Sequence, residues 1–182
     1  MKKEIRFAGF GGQGIALAGY ILGKAASIHA NLNATMTQNY GPESRGGAST
    51  ADVVISDSEI GYPAVTKPDI LVVMSQEAYQ RYKKNITNNT MVLVDQDIVK
   101  VDPELKCNLY HVPFVRTADE LGKKIVANIV MLGAFVSITK LIPKEAMKEA
   151  VLSTVPERFK ELNATAYEKG FEIGNKIVAS SE

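Results

Sequence analysis

Two runs, Ile70-Leu71-Val72-Val73-Met74 and Met91-Val92-Leu93-Val94, constrain the fold of this chain most strongly. A strand with one wet face alternates apolar and polar residues, whereas these runs are apolar throughout. That is the pattern of strands covered on both faces, as in a parallel sheet lying between helices. Further strand-like runs occupy residues 4–8, 34–37, 48–55 and 109–112. Helical patterns fill the intervals, at residues 14–30 and at 76–84, where Ser75 stands as N-cap and Glu77 in the first turn. Alternation of this kind predicts an α/β fold: a three-layer α/β/α sandwich, Rossmann-like, with a mixed, mainly parallel sheet. The connection from 34–37 to 48–55 is too short for a helical crossover, so these two runs are expected to pair antiparallel.

Later in the chain, Thr117-Ala118-Asp119-Glu120 reads as a capping box. It would open a helix whose Leu121, Ile125, Ile129, Leu132 and Val136, spaced at three and four, form one core-facing stripe. Pro143 would open the next helix, residues 144–154, and a further helix follows Pro156. No boundary divides the chain, and a length of 182 residues fits one domain, residues 1–182.

A formal net charge of +1 and scattered lysines make no basic stripe, so no nucleic-acid partner is expected. The start Met1-Lys2-Lys3-Glu4 runs directly into a strand, with neither a signal-like nor a membrane-spanning segment, and the expected location is cytoplasmic. Cys107 is the single cysteine, too few for an internal disulfide or for the four thiolates of an iron–sulfur cluster. His29 and His111 are the only histidines and show no metal-ligand spacing, so both are read as structural and no metal site is expected.

The chemistry-bearing stretches are two loops. The first, Gly9-Phe10-Gly11-Gly12-Gln13-Gly14, lies between the first strand and its helix. It satisfies a dinucleotide-binding spacing, and its glycines and free helix N–H groups suit an anion. An NAD(P) site also needs an acidic residue about 20 positions on, for the ribose. Between Glu4 and Glu43 there is no Asp or Glu, so an NAD(P)-dependent enzyme is disfavoured, while a stand-alone nucleotide- or anion-binding module remains an alternative. The second loop, Gln38-Asn39-Tyr40-Gly41-Pro42-Glu43-Ser44-Arg45-Gly46-Gly47, crowds amides, a phenol, a carboxylate and a guanidinium between sharp bends.

Together with Val126-Ala127-Asn128-Ile129-Val130-Met131-Leu132-Gly133-Ala134, these loops carry a resemblance. The sequence resembles the gamma subunit of 2-oxoacid:ferredoxin (acceptor) oxidoreductases, equivalent to one domain of the fused pyruvate:ferredoxin oxidoreductases. The residues at 37–40 resemble 2-oxoglutarate-type complexes more than pyruvate-type ones. The resemblance implies oxidative decarboxylation of a 2-oxoacid with coenzyme A to acyl-CoA and CO2, with electrons passing to ferredoxin. It also implies alpha and beta partner subunits, with a ferredoxin-like delta subunit as a further candidate. Thiamine diphosphate, magnesium and [4Fe-4S] clusters are expected on those partners, since this chain lacks a Gly-Asp-Gly thiamine motif and has one cysteine.

No catalytic residue is expected on this chain, and the isolated chain is expected to be inactive. The implied ligand or interface residues are Gly9, Gly11, Gly12, Gln13, Gly14, Asn39, Tyr40, Gly41, Pro42, Glu43, Ser44, Arg45, Gly46 and Gly47, supported by Asn128. Arg45 leads among them, because a guanidinium holds carboxylates or phosphates bidentately. The glycine turn is expected to shape a bare interface, with a phosphate of coenzyme A on its backbone N–H groups as the alternative. Gln13 is expected to bond back to Asn39 or Tyr40, and Asn128 to tie its helix to a loop.

Overall fold

In the computed structural model, which describes residues 1–41 and 47–181, one six-stranded sheet runs through the molecule. Its strands are β1 (Lys2–Phe10), β2 (Asn33–Tyr40), β3 (Ala48–Ser56), β4 (Ile70–Val73), β5 (Met91–Asp95) and β6 (Asn108–Val112), in the spatial order β2-β3-β1-β4-β5-β6. Strands β1, β4, β5 and β6 are parallel, while β3 is antiparallel to both β1 and β2. The sheet is therefore mixed, as the short connection before β3 requires. The buried, non-alternating strands β4 and β5 sit in its parallel half, with Leu71, Val72, Leu93 and Val94 fully buried.

The layers around the sheet are unequal. One face carries α1 (Ile15–Lys24) and α4 (Ala127–Thr139), where Phe135 packs edge-on against Phe7 of β1 at 5.5 Å between ring centres. Outside these lie α3 (Phe114–Glu120), α5 (Lys144–Leu152) and α6 (Lys160–Ser181). The other face holds α2 (Gln76–Tyr82), capped by the Ser75 hydroxyl, which accepts the N–H of Ala78. A buried ion pair lies on that second face. Arg6 donates to both carboxylate oxygens of Asp52 at 2.7 and 2.6 Å and to the Val65 carbonyl at 2.7 Å, and its guanidinium lies over the Tyr82 ring.

Helix α4 is apolar all round because it is enclosed all round. From Ala127 to Ile138 every residue is buried. Against it lies α6, at a crossing lined by glycines. A Cβ on Gly133 would stand 2.8 Å from the backbone nitrogen of Phe171 and closer still to the Tyr167 carbonyl, while one on Gly170 would collide with the Val130 carbonyl. The helices touch backbone to backbone because these positions have no side chain.

The expected capping box at Thr117 is not a helix start. Thr117 lies inside α3, buried, with its N–H on the Pro113 carbonyl. The helix begins earlier because the fully buried Asp95, at the end of β5, accepts the N–H of Val115 at 3.0 Å as well as those of Asp97 and Ile98. It ends at Gly122, whose φ of 83° permits a left-handed turn with bonds from Gly122 N–H to Asp119 and from Lys123 N–H to Ala118. What reads as one helix is thus two. The stripe survives at Ile129, Leu132 and Val136, but Ile125 falls in the short 3-10 turn between them and is 77% exposed.

Candidate functional site

The glycine turn stands at the carboxyl end of β1, where parallel α/β sheets collect their ligands. Gly12 and Gly14 have φ of 96° and 70°, a region costly for residues with a Cβ. Gly14 is also hemmed in, since its Cβ would meet the amide of Asn128, which instead donates to the Gly14 carbonyl at 3.2 Å. Asn128 is 3% exposed in the first turn of α4, so this bond satisfies a buried amide and ties that helix to the turn as expected.

Gln13 does not reach back to Asn39 or Tyr40. Its carbonyl accepts the Phe10 N–H at 3.0 Å and its amide donates to the Met74 carbonyl at 2.9 Å. The reason is local: the turn folds Gln13 under the ends of β1 and β4, where backbone groups past the ladder need partners. A Cβ on Gly9 would overlap this side chain and stand 2.8 Å from Ile15. Gln13 therefore braces the turn from beneath.

The second loop closes the β2–β3 hairpin, which continues to Gly41 through its N–H on the Ala48 carbonyl at 2.9 Å. Gly47 joins the two loops, its carbonyl accepting the Gly11 N–H at 3.3 Å. Asn39 and Tyr40 are exposed, with the Tyr40 hydroxyl on the Gln38 amide oxygen. Pro42, Glu43, Ser44, Arg45 and Gly46 lie outside the described residues.

Above the turn opens a groove of about 700 Å³. Its floor is Gly11, Gly12, Gly14 and the first turn of α1. Its walls are Tyr40, then Lys123, Ile125, Val126, Asn128 and Ile129 around the start of α4, and Val155, Pro156, Phe159, Leu162 and Asn163 around the start of α6. Around it Phe10, Leu17, Tyr40, Ile125 and Phe159 are exposed at 40, 41, 70, 77 and 41%. Of the described side chains lining it, only Lys123 is charged. Such a surface can bind and position, but it offers no acid–base pair.

Sequence reasoning brought Gly11, Gly12, Gly14, Tyr40 and Asn128 to this place. It missed Phe10, Leu17 and Phe159, which in sequence are only apolar residues near turns, and Lys123, a lysine beside a glycine, and it assigned Ile125 to the core. Neither His29 nor His111 lines the groove, and both are exposed. Burial pushes the half-buried Cys107 thiol up from its ordinary value. Among the described residues, no three of His, Cys, Asp and Glu come together in a way that would hold a metal ion.

Residues 4–173 match the family described as pyruvate ferredoxin/flavodoxin oxidoreductase. The chain belongs to that family. Among relatives, it is 52% identical to the 2-oxoglutarate synthase subunit KorC of Methanocaldococcus jannaschii, covering 97% of this chain and 96% of that one. Among solved structures, the gamma subunit of a keto/oxoacid ferredoxin oxidoreductase from Geobacter sulfurreducens matches with a TM-score of 0.88 and 42% identity, over 97% of this chain and 98% of that one. A 2-oxoglutarate:ferredoxin oxidoreductase from Magnetococcus marinus, with 2-oxoglutarate, coenzyme A and succinyl-CoA bound, matches with a TM-score of 0.84 and 26% identity. There 96% of this chain corresponds to 31% of a longer one, so the same unit forms part of a larger polypeptide. The family member described here has no helix, among the described residues, long and apolar enough to cross a membrane.

Proposed function

We propose that this chain is the gamma subunit of a cytoplasmic 2-oxoglutarate:ferredoxin oxidoreductase complex. That complex would convert the oxoacid and coenzyme A to an acyl-CoA and CO2 while reducing ferredoxin. The observation that carries its role is the groove: among the described residues it is apolar, ringed by five exposed large side chains, with Lys123 its one ionisable side chain apart from Tyr40. A patch of that kind fits a surface made for another protein chain. The subunit therefore assembles and shapes the site, and alpha and beta partners, with or without a delta subunit, supply the reactive centres.

One cysteine cannot hold a [4Fe-4S] cluster, and none of the described residues lining the groove fits thiamine diphosphate with its metal, so no step is assigned to either group on this chain. Coenzyme A is compatible with the groove in size and chemistry, since cofactor clefts of roughly 300–1,000 Å³ are lined mainly by apolar groups. Gly11, Gly12 and Lys123 would face its phosphates and the apolar walls its pantetheine arm. Coenzyme A supplies the thiol that takes up the acyl group. This chain's part is to hold and orient it.

Ile125→Asp and Arg45→Ala, made separately in the assembled complex, test the reading. Ile125→Asp is expected to weaken co-purification of the partner subunits, and Arg45→Ala to weaken assembly or raise the KM for coenzyme A. Unchanged assembly and turnover in both variants would overturn the assignment of this face.

A further inference from the structure

We infer that the end of the groove away from the glycine turn is a socket for one aromatic side chain carrying a neutral hydrogen-bond donor, a tyrosine or tryptophan of a partner subunit. The inference rests on the reading of this face as a subunit interface, and it names what anchors that interface. Lys24, in the last turn of α1, donates through Nζ to Thr154 Oγ1 at 3.1 Å, so the segment leading into α6 lies alongside α1, beyond the glycine turn. There the groove is lined by Leu17, Ile129, Val155, Pro156, Phe159 and Leu162, all apolar.

The polar exception at this end is Asn163, which is only 7% exposed. Its Nδ2 donates to the Phe159 carbonyl at 2.9 Å, while its Oδ1 accepts no hydrogen bond among the described residues. That oxygen is not walled in, because Thr35 Oγ1 is the one enclosed polar side-chain atom without a partner among the described residues. Asn163 lines the groove, so its Oδ1 meets whatever enters there. Buried side-chain polar atoms are normally paired, and this one can only accept.

The chemistry of the occupant follows by exclusion. An aliphatic side chain would fill the apolar walls but strand the acceptor away from water. A lysine or arginine would bring a donor, yet no Asp or Glu among the described residues lines the groove to compensate its charge. A carboxylate would set oxygen against oxygen, and a serine or threonine would reach the acceptor without covering the walls. Tyrosine and tryptophan combine a large apolar body with one neutral O–H or N–H, which is also why they anchor protein interfaces so often. Leu17 and Phe159, both 41% exposed, would close over the ring.

The test is the affinity of this chain for its partner subunits, compared among the wild type, Ile125→Asp and Asn163→Leu. Asn163→Leu keeps the side-chain volume and removes the acceptor, so the free chain should melt within a few degrees of the wild type while association weakens about tenfold or more. A photoreactive benzophenone side chain placed at position 17 of the assembled complex should cross-link to a partner segment that holds a tyrosine or tryptophan. Association indifferent to Asn163→Leu but weakened by Ile125→Asp would overturn this inference and leave the interface standing. If neither substitution weakened association, the reading of the face would fall together with the inference. A raised KM for coenzyme A at unchanged association would also overturn it, assigning the acceptor to an amide N–H of the cofactor. So would a cross-link to a partner segment lacking both residues, or to a second copy of this chain.

Discussion

The contact between α4 and α6 allows a prediction whose magnitude follows from geometry. Gly170 sits on α6 where the Val130 carbonyl of α4 leaves no room for a methyl group, and the obstacle is backbone, which cannot rotate away. Gly170→Ala must push apart two helices that belong to the same core. Overpacking of this kind costs typically about 1–3 kcal/mol. Alanine's higher helix propensity returns up to about 1 kcal/mol, so a net loss of roughly 1–2 kcal/mol is expected. For a chain of this size that lowers Tm by about 2–8 °C.

The internal control is Gly23→Ala in α1, where a Cβ would meet nothing within 4 Å. There only the propensity gain operates, and stability should rise by about 0.5–1 kcal/mol. Equilibrium urea unfolding of both variants, at unchanged m-value, gives the two numbers. If Gly170→Ala were as stable as Gly23→Ala, helix packing would not be what excludes a side chain at this crossing, and the reasoning would fail.

Further outcomes can be measured on the same material. Arg6→Ala strands Asp52 in a buried site and should cost about 3–5 kcal/mol by urea unfolding. Asn128→Ala should cost about 1 kcal/mol by losing the bond to the Gly14 carbonyl, and proteolysis within the glycine turn should become faster. Gln13→Ala releases the Phe10 N–H and the Met74 carbonyl, so coenzyme A binding measured by calorimetry on the complex should weaken while the fold persists. Lys144 and Lys148 hold the Glu168 carboxyl below its ordinary 4.5. Their stabilisation is complete above that value and is lost as pH falls through the lower folded-state value, so Glu168→Gln should flatten the acid limb of the stability profile.

Much of the architecture was legible because it rests on local patterning. The unbroken apolarity of residues 70–74 and 91–94 admits little besides buried parallel strands, and the short hairpin loop dictates the antiparallel β3. The helix boundaries near residue 120 were not legible. They depend on Asp95, a residue of a different element, capping α3 from across a loop, and on Gly122, whose φ a one-dimensional reading does not supply. At the site, glycines and Asn128 stood out by type and spacing. Ile125 and Phe159 did not, because an apolar residue on an exposed rim reads like one in a core. Gln13 was recognised but given the wrong partners, since the end of β4 lies next to β1 only once the sheet has formed.

The central claim is that this chain works as one subunit of a 2-oxoglutarate-oxidising complex. It is tested most directly by tagging the chain in its native cell, purifying gently without oxygen, identifying what accompanies it and assaying 2-oxoacid- and coenzyme-A-dependent reduction of ferredoxin. The account predicts thiamine- and cluster-bearing subunits in the preparation, with 2-oxoglutarate preferred over pyruvate and activity lost when this chain is stripped away. A chain that purifies alone, with oxoacid oxidation intact in cells lacking it, would contradict the account.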